Sequence, residues 1–161
     1  MTRWLLGALA AVACAAPAIS ALAAEAKPSY GQELAQVYGT YQSVLGHKEA
    51  CEDASPNTRG AIDKSYAAWR GRNANTIAEL DERLAKMIRG ISKDDKEYAR
   101  NIGKYEGAML QQRHEAKQEF LAQPRKELEA LCQSLPDLLS SKESDLETLY
   151  ADELKRIRSR R

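Results

Sequence analysis

Apolar residues recur along this chain at steps of three and four, and no stretch alternates them one by one. That period belongs to helices with a single buried stripe, so no segment reads as a strand. Tyr30, Leu34, Val37, Tyr38, Tyr41, Val44 and Leu45 form the first stripe, predicting a helix over residues 29–45 that Gly46 ends. A polar loop over 47–57 then carries Cys51, and Ser55-Pro56 supplies an N-cap followed by proline at the first helical position. Ile62, Tyr66, Trp69, Asn73, Ile77, Leu80, Leu84, Met87 and Ile88 keep near-heptad spacing up to Gly90. Ser92-Lys93-Asp94-Asp95 opens a third helix with Tyr98, Ile102, Tyr105, Met109, Ala116 and Phe120 as its stripe. Pro124 kinks or breaks this helix, Leu128, Leu131, Cys132 and Leu135 resume the pattern, and Pro136 ends it. A last amphipathic helix follows the capping box Ser144-Asp145-Leu146-Glu147, with Leu146, Leu149, Tyr150, Leu154 and Ile157 on its apolar face.

The tight turn near Ile91 makes the second and third helices an antiparallel hairpin. Pairing Leu84 with Tyr98 sets a register that also pairs Leu80 with Ile102, Ile77 with Tyr105, Tyr66 with Ala116 and Ile62 with Phe120. It sets Asn73 opposite Met109 and Trp69 opposite Arg113, and it brings Cys51 and Cys132 to the open end of the hairpin. The expected fold is therefore all-α: a long antiparallel helical hairpin, with flanking helices forming a small bundle at its base, and one disulfide. The first and last helices cover only that base, so residues 75–107 are expected to project as a two-helix arm. Ala67, Gly71, Ala74 and Ala78 form a small-residue strip beside the seam, as do Gly103 and Gly107 on the third helix, and such strips admit another helix closely.

Residues 1–23 stand apart from this pattern. Arg3 precedes an uncharged Leu/Ala-rich run from Trp4 to Ala16, a length that suits a signal h-region and is short of the ~20 residues a membrane-spanning helix needs. Ala21-Leu22-Ala23 fits signal peptidase, so 1–23 reads as a signal peptide and 24–161 as a single all-helical domain, periplasmic or secreted. Cys14 after Ala11-Val12-Ala13 has the outline of a lipoprotein box without its usual leucine, and membrane attachment is expected only if Cys14 is lipidated. An oxidising compartment and an even count make Cys51 and Cys132 a disulfide pair. Removing the leader with Arg3 leaves basic and acidic residues equal in number, which argues against nucleic acid as a partner.

Little catalytic chemistry is legible. There is no P-loop, dinucleotide-binding glycine fingerprint, nucleophile elbow or His-Glu-x-x-His, and two histidines are too few for a metal centre, so no cofactor or metal is expected. Glu79, Asp81 and Glu82 read as a solvated face. In outline the chain resembles periplasmic helical-arm chaperones, on architecture alone; the Leu-Thr-x-x-Gln repeats of one such group and the strong basic charge of another are missing. The expectation is an exported, non-enzymatic binding or adaptor protein of the bacterial cell envelope. It would contact a protein partner or form a homo-oligomer through the hairpin, with Leu84, Ile88, Tyr98 and Ile102 at the contact. The alternative is a cell-envelope enzyme or enzyme inhibitor with a small site near Trp69, Arg113 and His114.

Overall fold

The computed structural model describes residues 28–160. The expected signal peptide, residues 1–23, and Cys14 within it lie outside the described residues. Helix α1 (Tyr30–Ala54) opens with a reciprocal cap: the Ser29 hydroxyl accepts from the Gln32 N–H at 3.3 Å, and the Gln32 side chain accepts from the Ser29 N–H at 2.7 Å. The helix does not stop at Gly46. It continues two turns further, so Cys51 sits on a helix and the expected polar loop shrinks to a 3-10 turn, Pro56–Thr58. The reason is tertiary. A Cβ on Gly46 would lie 2.6 Å from the Arg113 carbonyl oxygen, so the glycine is where another helix backbone presses on α1, and that packing offsets its poor helix propensity.

A rod of two helices, α2 (Arg59–Arg72) and α3 (Ala74–Gly90), climbs from the base of the molecule to its tip. Helix α4 (Asp95–Leu121) descends again, capped by Asp94, whose carboxylate accepts from the Glu97 N–H at 2.7 Å. Pro124 breaks the chain cleanly, and α5 (Arg125–Ser140) climbs back along α2. Pro136 does not end α5. Leu135 and Leu139 on either side of it are both buried in the core, and that anchorage carries the helix past the bond proline cannot donate. After a 3-10 turn, Lys142–Ser144, the single last helix expected from the pattern is two pieces, α6 (Leu146–Leu149) and α7 (Ala151–Ser159).

The hairpin of α2–α3 with α4 is present, and at its tip the Arg89 guanidinium lies 3.8 Å from the Tyr98 ring centre. The seam does not extend down to the base as the Leu84–Tyr98 register implies. Helix α4 instead packs along α1, parallel to it, and meets α3 only near the tip. Phe120 stacks on His47 of α1 at 4.5 Å, Ala116 lies against Gly46, Arg113 pairs with Glu49, and Lys117 with Asp53 at 2.6 Å. Gly39 and Gly46, one heptad apart, present α4 with a surface without side chains, which the bulkier α2–α3 stripe does not offer.

The arm consequently does not project alone. Gly31 at the start of α1 lies against Met87, and Arg83 donates to the Ile157 carbonyl of α7 at 3.2 Å, so both terminal helices reach the upper half of α3. Helix α1 is the centre of the molecule, touching α2, α3, α4, α5 and α7. The core gathers Leu34, Val37, Ile62, Trp69, Leu80, Leu139, Leu154 and Ile157 around it. At the base the disulfide joins Cys51 to Cys132 of α5, with an S–S distance of 2.05 Å and both residues fully buried.

Candidate docking groove

The sequence Tyr66-Ala67-x-x-Arg70-Gly71-x-x-Ala74-x-x-Ile77-Ala78-x-x-Asp81 repeats at three- and four-residue steps, which places these residues on one face of the α2–α3 rod. They line a groove of about 520 Å³. Ala67, Gly71, Ala74 and Ala78 are exposed, and nothing among the described residues lies within 4 Å of where a Cβ on Gly71 would point, so no described helix occupies the strip. The half-buried Tyr66 gives it an apolar edge and the buried Ile77 lies beneath it, with Arg70 toward one end and Asp81 at the other.

The rod keeps this face outward because its other face is fastened. Trp69, fully buried, donates its Nε1–H to the Ser144 carbonyl at 2.9 Å, and Arg72 reaches the Leu139 carbonyl at 2.7 Å and Asp145 at 3.0 Å. Asn73, buried where the rod is interrupted, accepts from the Leu146 N–H at 2.7 Å and donates to the Trp69 carbonyl at 2.8 Å. It therefore caps α6 from a neighbouring rod, a task assigned in the sequence to Ser144.

Aromatic rings back the groove. Tyr105, Tyr38, Tyr41, Trp69 and Tyr66 follow one another with centroids 6.0, 5.7, 6.4 and 6.2 Å apart, linking α4 through α1 to α2. Burial, then the charge of the Asp81 carboxylate beside them, raises the Tyr38 hydroxyl above the ordinary tyrosine range and pushes Tyr105 up to about 12. Both stay protonated beside Asp81, and Tyr66 is likewise raised, first by burial and then by Tyr41. The groove thus has a neutral, rigid floor and opposite charges toward its two ends.

A second cleft, about 840 Å³, opens between α1, α3 and the C-terminal helix, lined by Tyr30, Glu79, Glu82, Arg83, Lys86, Met87, Arg158 and Arg160. Its cations are already engaged: Arg83 and Arg158 share Glu79 at 2.8 Å each, Lys86 holds Glu82, and Arg160 lies 3.4 Å from the buried Glu33. The first cause of the low Glu79 pKa is its bond from Arg158. This cleft is a structural clasp on the C-terminal helix.

The residues singled out in the sequence are dispersed. Leu84 and Ile88 are 8% and 4% exposed and belong to the interior, Tyr98 lies under Arg89, and Ile102 is half-buried. Trp69 is core, Arg113 is engaged with Glu49, and His114 is exposed on α4, so these three form no common site. Among the described residues no group of three or more His, Cys, Asp or Glu converges as a metal site would, and no helix is long and apolar enough to cross a membrane. Comparison with protein-family models, curated proteins and solved structures finds no match. The groove therefore carries the functional reading by geometry alone. Its small-residue strip is legible in the sequence; Asp81, grouped there with Glu79 and Glu82, reads as part of a solvated face, and nothing in the pattern ties it to Arg70.

Proposed function

We propose that this is an exported, non-enzymatic binding or adaptor protein of the bacterial cell envelope, which contacts another protein chain through the outer face of its hairpin. The observation that carries the reading is the groove from Tyr66 to Asp81, uncovered by the described residues, with the exposed small residues Ala67, Gly71, Ala74 and Ala78 along it. An exposed helix face without bulky side chains lets a second helix approach closely. The buried Cys51–Cys132 bond supports an oxidising location, as does the leader-like segment 1–23.

The test places a photo-crosslinking amino acid at Ala74 in the groove and, as control, at Lys126, exposed on α5. In living cells the expected result is a defined protein adduct at Ala74 but not at Lys126. Equal labelling from both positions, or none from Ala74, refutes the groove as the contact surface. Fractionation with intact mass measurement tests export: a periplasmic protein starting at Ala24 supports it, and a cytoplasmic protein starting at Met1 refutes it.

A further inference from the structure

The groove is self-complementary, and this deepens the proposal above, on which it rests. Arg70 and Asp81 lie eleven residues apart on the same face, about 16 Å along the rod, with Ala74, Ile77 and Ala78 between them. Both side chains are exposed, and neither makes an ion pair with another described residue, whereas Arg72, Arg83, Arg113, Arg156 and Arg158 all do. We propose that the occupant of the groove is the same groove of a second copy of this chain, laid antiparallel across a two-fold axis near Ala74.

Three features of the groove lead there. An antiparallel copy sets Arg70 against Asp81 of the second copy, and the symmetry repeats that contact at the other end. A parallel copy would set arginine on arginine and aspartate on aspartate, so the charges select one orientation. Near the axis Gly71, Ala74 and Ala78 are exposed and carry no bulky side chain, so the two rods can approach closely there, with the buried Ile77 lying beneath the contact. A heterologous partner would have to supply this arrangement independently; a second copy has it by construction.

The experiment is analytical ultracentrifugation of the processed, oxidised protein over the micromolar range. A monomer–dimer equilibrium is expected. Arg70→Glu and Asp81→Arg should each weaken the dimer at least about tenfold, because each creates two like-charge contacts, and the double reversal R70E/D81R should restore it. Circular dichroism on every variant separates loss of dimer from loss of fold. Since Asp81 adjoins Tyr38, Ala74→Cys provides an independent measurement: this position lies within about two residues of the axis, so a short bifunctional thiol crosslinker should give a covalent dimer, and Lys126→Cys should not. A monomer throughout the range overturns the inference, as does a dimer indifferent to Arg70→Glu, or a folded double reversal that stays monomeric. If the protein is monomeric while Ala74 still crosslinks to a different protein in cells, the self-pairing falls and the contact surface stands; if Ala74 labels nothing, both fall.

Discussion

Gly46→Ala adds one methyl group in a place where α1 and α4 have no room for it. The new Cβ would sit 2.6 Å from the Arg113 carbonyl oxygen, 3.0 Å from the Lys117 nitrogen and 3.1 Å from the Ala116 Cβ, so the obstacle is chiefly backbone and the helices must separate. Overpacking of this kind costs about 1 to 3 kcal/mol, against a helix-propensity gain of about 1 kcal/mol, leaving a net loss of roughly 0 to 2 kcal/mol. At roughly 3 to 5 °C per kcal/mol for a domain of this size, Tm should fall by up to about 10 °C. Gly103→Ala and Gly107→Ala are internal controls. No heavy atom lies within 4 Å of either added Cβ, so the propensity gain stands alone and each should raise Tm by a few degrees. At Gly39 the added methyl meets only the Gln112 side chain, which can swing away, and Gly39→Ala should be near neutral. Urea and thermal unfolding followed by circular dichroism at constant disulfide state measure all four. If Gly46→Ala matches the Gly103 and Gly107 variants, the close parallel packing of α1 on α4 is wrong.

Reducing the disulfide should remove about 4.5 kcal/mol, the chain-entropy value for a separation of 81 residues, measured as the loss in urea-unfolding free energy of Cys51→Ala/Cys132→Ala; a change below about 1 kcal/mol would contradict the assignment. Asn73→Leu should cost about 1 to 3 kcal/mol, because it orphans the Leu146 N–H, and hydrogen exchange at that amide should speed up ahead of the amides of α7. His47 is held below its ordinary 6.5, first by burial against Phe120 and only partly offset by Glu119, so the unfolded chain binds a proton that the folded chain resists. Its contribution is therefore present in full above pH 6.5 and lost as the pH falls through the lower folded value. His47→Gln should flatten the Tm profile just below pH 6.5, while losses from Glu79 and Glu147, both held below 4.5, begin only at lower pH.

The helical class, the hairpin turn, the break at Pro124 and the Cys51–Cys132 bond are legible in the sequence because each rests on local chemistry or on a pair with no other choice. The neighbour of α4 is not. Tyr105, Met109, Ala116 and Phe120 form an apolar stripe whichever helix they meet, and periodicity cannot tell a seam facing α3 from one facing α1. Gly46 illustrates the same ambiguity: a glycine after an apolar stripe reads as a stop, and only the approach of the Arg113 carbonyl reveals it as a contact. The glycines that look free to receive a helix, Gly103 and Gly107, have none beside them, and the one read as a terminator has. For the groove, the floor is a spacing pattern and visible, whereas the pairing of charges toward its ends depends on which face of the rod remains uncovered.

The parallel packing of α1 on α4 also governs the order in which the molecule can assemble. Gly46 meets Ala116, so the surface of α1 that α4 covers waits for roughly seventy further residues to follow it out of a ribosome or translocation pore. The helix that contacts every long element is thus the first to emerge and the last to be fully enclosed. During that interval Tyr38, Gly39, Gly46 and His47, positions that α4 later covers, face solvent, and a chain stalled there presents that surface for chaperones, or for another stalled chain, to bind.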